Sequence, residues 1–248
     1  MGSFSARALP GIPEIGPGED LAGIVAQALA TAGAAPGTIV AVAHTAVSKA
    51  EGAVVELAGV EPGPRARALA AEQGKDPRVM QVVLDQSAEV LRAERGVLIA
   101  RTHHDFICAN AGVDVSNAGG AERAIVLPAD PDASARALRA RLGEPAPAVV
   151  ITDSFGRPWR HGQLDIAIGL AGLMPLDDWR GRTDAEGNEL QATWIAVADA
   201  IAAAADLARA KDSREPVVVI EGLERFVTAE DGPGARALLR PPAEDLFR

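Results

Sequence analysis

The chain is organised around residues 106–117, Phe-Ile-Cys-Ala-Asn-Ala-Gly-Val-Asp-Val-Ser-Asn. An apolar run stops at a small-residue turn, and the chain then delivers Asp114, Ser116 and Asn117 onto a loop. Aspartate and asparagine favour turns because their side chains hydrogen-bond to nearby backbone groups. The stretch therefore predicts a strand that ends in a polar loop.

A second segment, residues 149–157, repeats this arrangement. It reads Val-Val-Ile-Thr-Asp-Ser-Phe-Gly-Arg, so that Asp153 and Ser154 directly follow an apolar run. Carboxylates and hydroxyls are hard oxygen ligands of the kind that Mg²⁺ takes together with phosphate oxygens. We therefore hypothesise that Asp114, Asp153 and Ser154 hold a divalent metal where the two loops face one another across a nucleotide site. The alternative is that both aspartates only form turns.

Composition limits the classes of partner. The chain has 248 residues, of which 48% are hydrophobic, enough for one large domain or two small ones. Its net charge of -10 argues against nucleic-acid binding, which needs a basic surface. The single Cys108 excludes an internal disulfide and a multi-cysteine zinc site. There is no signal-peptide pattern, and the apolar stretch near residues 166–175 is too short to span a bilayer. We expect a cytoplasmic protein without nucleic-acid or membrane partners.

Strand-like and helix-like segments alternate along the chain. This predicts the α/β class, or α+β with mixed sheets. Residues 1–8 read as a flexible leader and residues 9–248 as one unit, with a boundary near 70–76 or 143–147 left open. The helices are expected at 21–32, 64–73, 77–95, 133–142 and 192–210. The strands are expected at 38–43, 97–101, 123–127, 148–152 and 217–220, while 166–173 fits either a strand or a helix.

Common catalytic motifs do not occur in the sequence. There is no phosphate-binding G-x-x-x-x-G-K-[ST] loop, no G-x-G-x-x-G after a strand and no G-x-S-x-G elbow. Lys49, which follows a predicted strand, is either a phosphate-binding point charge or a surface lysine. Asp199 and Asp206 share one face of the last predicted helix and are interpreted as its solvated stripe.

Several longer motifs carry a family resemblance. They are Val-Ser-Lys-Ala-Glu-Gly at 47–52, the stretch 109–117, Leu-Pro-Ala-Asp-Pro-Asp at 127–132, and Ile-Thr-Asp-Ser-Phe-Gly-Arg-Pro-Trp-Arg at 151–160. Ala-Ile-Gly-Leu-Ala-Gly at 167–172 and Leu-Arg-Pro-Pro at 239–242 continue the series. From about residue 9 to the C-terminus, the chain resembles the coenzyme F420-0:L-glutamate ligases, gamma-glutamyl ligases of a 5-deazaflavin coenzyme.

The resemblance implies a GTP-dependent amide ligase of coenzyme F420 biosynthesis. Such enzymes phosphorylate the carboxylate of F420-0 with the γ-phosphate of GTP, and the amine of L-glutamate attacks the acyl phosphate; the growing glutamate chain follows as acceptor. The implied cofactors are Mg²⁺ or Mn²⁺, with K⁺ as a further candidate ion. The implied fold is a two-part gamma-glutamyl-ligase-type α/β structure in an intertwined homodimer.

By position, the resemblance assigns the metal to Asp114, Asp153 and Ser154. It assigns GTP to Ile12, Pro13, Glu14, Ile15, His44, Lys49, Asn117, Leu207, Ala208, Arg209, Ala210, Lys211 and Asp212. No residue is assigned as a general base.

Four positions depart from the family pattern, namely His44, Gln86, Asp105 and Glu221, and the loop 208–211 lacks the usual glycine. These departures keep two alternatives open. One is a paralogous nucleotide-dependent amide ligase that acts on a different acid. The other is a non-catalytic protein that binds the nucleotide or the coenzyme.

Overall fold

The computed structural model describes residues 2–116, 118–120 and 122–245. Six helices occur in the described residues: α1 Leu21–Ala32, α2 His44–Ala50, α3 Pro64–Gln73, α4 Pro77–Asp85, α5 Pro131–Arg139 and α6 Val197–Ala208. The described strands are β1 Ser5–Ala8, β2 Ile39–Ala43, β3 Val54–Glu56, β4 Ser87–Glu94, β5 Val97–Thr102, β6 Ile107–Ala109, β7 Arg123–Ile125, β8 Ala148–Arg157, β9 Arg160–Ala171, β10 Leu176–Asp178, β11 Trp194–Ala196 and β12 Val217–Glu221.

A five-stranded sheet with the order β1-β12-β2-β8-β9 forms the centre of the fold. Strands β2 and β8 run parallel, and the other neighbours are antiparallel. Alternate residues of each strand point to opposite faces, so each buried strand contributes to two cores. Helices α1 and α5 pack on one face, and α6 packs on the other. The continuous apolar sequences of β2 and β12 follow from this burial on both faces.

A smaller region lies beside the central sheet. The strands β4, β5 and β6 form an antiparallel sheet, and α3 and α4 bury Ala66, Met80 and Val83 against Leu98 of β5. The strands β3 and β7 pair separately. The predicted mixed α/β architecture with several sheets is thereby confirmed.

Two predicted helices are wrong over part of their length. The helix expected at 77–95 ends at Asp85, and Ser87–Glu94 form a strand that pairs with β5. The sequence of β4 is rich in helix-favouring Ala, Glu, Leu and Arg, and its tertiary pairing overrides that propensity. The helix expected at 192–210 begins only at Val197, because Trp194–Ala196 pair with β10.

The N-terminal residues are ordered by pairing. Ser5–Ala8 run antiparallel to β12, with Ser5 opposite Glu221, which corrects the expectation of a flexible leader for these four residues. The segment left open at 166–173 is a strand over most of its length, since it forms the second half of β9. None of the described helices has the length and apolar character needed to cross a membrane. The division of residues 9–248 into subdomains stays a prediction.

Candidate active site

The site lies at the carboxyl edge of the parallel strand pair. Strand β2 ends at Ala43, which pairs with Thr152 of β8, and β8 continues beyond this point with Asp153 and Ser154. The backbone N–H of Ala43 donates to the carbonyl of Pro216 at 2.8 Å, so the segment between α6 and β12 reaches the same edge. Ligands of open α/β sheets bind at such carboxyl edges, where the connections leave a crevice.

A cavity of about 480 Å³ opens at this edge. Its size falls within the range of about 300 to 1,000 Å³ that is typical of small-molecule sites. Its charged and polar lining includes Glu14, His44, Lys49, Asn110, Asp114, Ser116, Thr152, Asp153, Ser154, Gln163, Asp165, Asp206, Arg209, Lys211, Arg214 and Glu215.

Asp153 lies inside a strand, and its predicted position at a strand end is wrong. Strand β8 continues to Arg157 because it pairs with β9 as a long hairpin. The carboxylate of Asp153 accepts a hydrogen bond from the backbone N–H of Ser154 at 2.7 Å. Its Oδ1 also lies 3.3 Å from Nε2 of the buried His44. His44 begins α2, so the end of β2 brings this ring directly against β8.

Asp114 reaches the cavity through a left-handed turn. Asn110, Ala111 and Gly112 have φ values of 51°, 53° and 71°, and the N–H of Val113 closes the turn on the carbonyl of Asn110 at 3.0 Å. Left-handed conformations cost free energy at non-glycine residues and concentrate at functional sites. At Gly112 a Cβ would lie 2.8 Å from the Leu127 side chain, so the position requires glycine.

The carboxylate of Asp114 also forms a local turn. Its Oδ1 accepts hydrogen bonds from the backbone N–H of Ser116 at 2.7 Å and from Ser116 Oγ at 2.6 Å. The turn-forming role considered from the sequence is therefore present. Asp114 still lines the cavity while it forms this turn, so turn formation and ligand binding are compatible.

A buried carboxylate, Asp165, organises the floor of the cavity. Its side chain accepts hydrogen bonds from Thr152 Oγ1 at 2.8 Å and from Ser154 Oγ at 2.6 Å, and it forms an ion pair with Arg209. Burial acts to raise the pKa of Asp165, but the charge of Arg209 and these hydrogen bonds outweigh it and hold the pKa below its usual value. Asp165 is therefore ionised at neutral pH.

Cationic side chains also line the cavity. Lys49 forms an ion pair with the exposed Glu14. Lys211 donates from Nζ to Ser154 Oγ at 2.6 Å and lies 3.6 Å from Asp206 Oδ1. Lys49 and Lys211 both line the cavity, so their ammonium groups can meet phosphate oxygens there.

Sequence comparison shows which family the chain belongs to. The model of the F420-0:gamma-glutamyl ligase family matches residues 11–222. The chain belongs to the F420-0:gamma-glutamyl ligase family. The resemblance noted in the sequence is thereby confirmed.

Full-length relatives support the same assignment. A protein of Methanopyrus kandleri named coenzyme F420:L-glutamate ligase is 42% identical over 256 residues, with 100% of both chains covered. Its namesake from Methanothermobacter thermautotrophicus is 40% identical over 251 residues and 99% of each chain. A third, from Halobacterium salinarum, is 42% identical over 250 residues, which covers 95% of this chain and 96% of the relative.

The cavity brings together most of the predicted ligand residues of this ligase-family chain. Those that line it are Pro13, Glu14, Ile15, His44, Lys49, Asp114, Asp153, Ser154, Arg209, Ala210 and Lys211. Ile12 faces a neighbouring groove beside α1, and Leu207 is 90% exposed. Ala208 and Asp212 are likewise not among the lining residues, and Asn117 lies outside the described residues. The ligand roles themselves stay predictions.

The donor set has few protein ligands for a metal. In the part of the chain that the structure describes, no three His, Cys, Asp or Glu side chains cluster as a complete metal site. Two carboxylates and a hydroxyl still fit Mg²⁺, which usually takes one or two protein carboxylates and completes its shell with phosphate oxygens and water. Asp114, Asp153 and Ser154 all line the cavity, and their role as ligands of a metal that arrives with a phosphorylated substrate stays a prediction.

Sequence reasoning missed Asp165 and misjudged two acids of α6. Asp165 stands at the head of an apolar run, and only the pairing of β9 with β8 places it opposite Ser154. Asp206 lines the cavity, and Asp199 is half-buried and accepts a hydrogen bond from the backbone N–H of Ala167 at 3.0 Å. The interpretation of these two acids as a solvated stripe is therefore wrong.

Proposed function

We propose that this chain joins L-glutamate to the coenzyme precursor F420-0 at the expense of GTP, with a divalent metal. Membership of the family makes it a coenzyme F420:L-glutamate ligase of F420 biosynthesis. The GTP- and metal-dependent part of the proposal is carried by one observation. A single cavity is lined by the carboxylates of Asp114 and Asp153 and by the cationic side chains of Lys49, Arg209 and Lys211.

This combination suits phosphoryl transfer, in which the protein mainly positions and neutralises charge. Asp114, Asp153 and Ser154 would hold Mg²⁺ or Mn²⁺, which when bound offsets charge on the transferred phosphoryl group. Lys49 and Lys211 would bind phosphate oxygens. GTP is the proposed phosphoryl donor, on the assignment of Ile12–Ile15 and residues 207–212 to its site. We also include K⁺ as a candidate ion, to be tested by its replacement with Na⁺.

The proposed reaction has two substitution steps. A carboxylate oxygen of F420-0 attacks the γ-phosphorus of GTP, and GDP leaves. The unprotonated amine of L-glutamate then attacks the acyl carbon, the new C–N bond forms, the bond from the acyl carbon to the phosphate oxygen breaks, and the proton that the nitrogen loses passes to the leaving phosphate or to water. Orientation of the acid and the amine in one cavity supplies much of the acceleration, because a bimolecular step becomes effectively unimolecular.

The alternative acid substrate is less well supported by the positions of the departures. Of the four departing residues, His44 lines the cavity. Gln86 caps the end of α4, Asp105 sits in a turn with φ 70°, and the carboxylate of Glu221 accepts from the backbone N–H of Ala35 at 3.1 Å. Since these three serve local structure away from the cavity lining, they give no reason to change the acceptor. A purely binding role is disfavoured because both proposed metal-binding acids, Asp114 and Asp153, are present.

We also propose the intertwined homodimer and a cytoplasmic location. Trp194 and Ile195 on β11 and Met174 near β10 are large apolar side chains that are 50%, 44% and 38% exposed. Large apolar side chains that are this exposed are suited to burial between subunits. Sedimentation equilibrium would give twice the chain mass if the dimer forms. The required GTP pool would place the enzyme in the cytoplasm.

The decisive experiment supplies the purified chain with F420-0, L-glutamate, GTP and Mg²⁺. The expected result is a product one glutamyl unit heavier by mass spectrometry, with GDP released only when all four components are present. Asp153→Asn is expected to lower the rate by about two to three orders of magnitude, in line with loss of a charge-stabilising group. Asp105→Asn is the matched control, because this exposed acid pairs with Arg101 outside the cavity. Absence of any glutamylated product with the unmodified protein would overturn the proposal.

A further inference from the structure

The hairpin β8–β9 contains a register shift at the cavity, and this shift decides which residue lies opposite Ser154. Ile151 pairs with Gly169, whereas the next residue, Thr152, pairs with Ala167, so Ile168 is an extra residue in β9. Such a bulge shifts all pairing beyond it by one residue. Without it, Ser154 would face Ile166. With it, Ser154 faces Asp165.

Helix α6 contacts the backbone of β9 just beyond the bulge. The half-buried carboxylate of Asp199 on α6 accepts from the backbone N–H of Ala167, the first residue beyond the bulge, at 3.0 Å. The next pair toward the hairpin tip, Asp153 with Ile166, then carries the shifted register forward. Asp165 is thereby brought to the floor of the cavity with 2% of its surface exposed.

The hydrogen-bond pattern around Asp165 allows one arrangement of protons. Arg209 and Lys211 can only donate hydrogen bonds, so the two hydroxyls that they contact, Thr152 Oγ1 and Ser154 Oγ, each have their single proton left to point at Asp165. Each hydroxyl oxygen then has only lone pairs left for other partners. Thr152 Oγ1 accepts from Arg209 at 2.6 Å, and Ser154 Oγ accepts from Lys211 Nζ at 2.6 Å.

We propose that Asp165 is a positioning residue that fixes the Ser154 proton, so that Ser154 Oγ offers a lone pair to a cation in the cavity. In the structure this cation is the ammonium group of Lys211, whose side chain is 75% exposed and can move away. In the working enzyme the cation is the divalent metal, and to this extent the inference rests on the proposed function. Partners behind a metal ligand typically change metal affinity by about 10- to 100-fold.

A simpler role for Asp165 would be to neutralise Arg209. The two roles differ in how Asp165 and Ser154 depend on each other. If Asp165 acts through Ser154, its replacement has little effect once the Ser154 hydroxyl is gone. If it only balances Arg209, the two replacements act independently. A double-mutant cycle separates these cases.

The test measures binding of Mn²⁺ alone, by the electron paramagnetic resonance signal of the free ion, to the intact chain. Asp165→Asn presents an amide in place of an acceptor-only carboxylate, and we expect Mn²⁺ to bind about 10-fold more weakly. Ser154→Ala should weaken binding to a similar extent, and the double variant should be no more than about twofold worse than either single variant. Asp105→Asn should bind as the unmodified chain does.

Three outcomes overturn the inference: unchanged Mn²⁺ affinity in Asp165→Asn, unchanged affinity in Ser154→Ala, or full additivity in the double variant. Ser154→Ala removes one hydroxyl from a half-buried position, so it decides the matter even if Asp165→Asn does not fold. Asp153→Asn separates this inference from the proposed function. If Asp153→Asn abolishes Mn²⁺ binding while Ser154→Ala does not change it, the metal site stands and the positioning role of Asp165 fails. If Asp153→Asn binds normally, the proposed metal site fails.

Discussion

Asp114 and Asp153 line the same cavity, but different kinds of backbone hold them. Asp153 lies within the ten residues of β8, which pair with the twelve-residue β9. Asp114 follows a left-handed turn and is joined to Ile125 by one bridge, with backbone hydrogen bonds of 2.9 and 2.7 Å. A continuous ladder fixes a side chain through many bonds, whereas a turn fixes it through the conformation of a few residues.

Because the backbones differ, different kinds of substitution should displace the two acids from the cavity. The hairpin region is sensitive to what packs against the strand. The turn region is sensitive to the φ angles that individual residues can adopt. Glycine substitutions, a buried acid and the cysteine next to the turn each test one side of this comparison.

The largest effect is expected where α5 packs on the hairpin. At Gly169 of β9 a Cβ would lie 2.3 Å from the backbone carbonyl oxygen of Pro131, which cannot move independently of the helix. Gly169→Ala should lower the free energy of unfolding by about 3 kcal/mol, the upper part of the range for overpacking. Gly156→Ala on β8 is the matched control, since nothing lies within 4 Å of its Cβ. Urea denaturation of both variants gives the comparison; equal stabilities would contradict it.

A smaller loss is expected in the turn. Gly112→Ala combines a φ of 71° with a Cβ 2.8 Å from the Leu127 side chain, which can partly give way. We expect a loss of about 2 kcal/mol in the free energy of unfolding, of which the left-handed conformation accounts for about 1 to 2 kcal/mol. Gly52→Ala isolates the conformational part, because Gly52 has a φ of 75° and no atom within 4 Å. If both variants lose the same amount, the Leu127 contact has no energetic role.

A third prediction concerns pH and the acid that contacts β9 just beyond the bulge. Burial raises the pKa of Asp199, and the hydrogen bond from Ala167 offsets only part of the rise. The folded protein therefore binds this proton more tightly than the unfolded chain does. Between the ordinary and the raised pKa, increasing pH lowers the free energy of unfolding. Asp199→Asn removes this contribution, so its stability relative to the unmodified chain should rise with pH across that window and stay constant above it.

Asp20 provides a control of opposite sign. The hydrogen bond from the Gly23 backbone and then that from Arg141 lower the pKa of its carboxyl. Its contribution to stability is present above the ordinary pKa and is lost as pH falls through the lowered one. Urea denaturation between pH 3 and 7 should show opposite trends for Asp199→Asn and Asp20→Asn. Parallel trends would contradict the assignment for Asp199.

The last prediction concerns the chemical reactivity of Cys108, just before the turn. Burial, and then the charge of Asp153, raise the pKa of its thiol to about 12. The thiolate is the reactive form, so iodoacetamide at pH 8 should modify the folded chain at least about 100-fold more slowly than the chain in urea. Comparable rates would show that the turn region opens readily, and the contrast between turn and hairpin would then be larger than the static structure indicates.

The sequence predicted the elements whose local pattern agrees with their tertiary role. The helix at Leu21–Ala32 has its predicted bounds, and Pro64–Gln73 does also. Prediction from the sequence failed at Ser87–Glu94, where helix-favouring residues form a strand because β5 pairs with them. Such pairing depends on residues elsewhere in the chain, so a local window does not contain it.

The candidate site shows the same limit. Asp114 and Asp153 could be singled out because acids after apolar runs are visible in the sequence, and the cavity brings both to one place. Asp165 could not be singled out from the sequence, because its position opposite Ser154 depends on one extra residue in β9. A bulge of one residue leaves no pattern in composition or periodicity, although it decides which side chains meet.

The place of β12 in the central sheet bears on how the chain folds. This strand, from late in the sequence, inserts between β1 and β2, with Ser5 opposite Glu221 and Ile39 opposite Ile220. Contacts this distant in sequence slow folding, because a long loop must close before they form. During synthesis on the ribosome, β1 and β2 have no shared neighbour until residues 217–221 emerge. The edge of β2 therefore stays open for most of translation, which makes this edge the expected site of chaperone contact on the nascent chain.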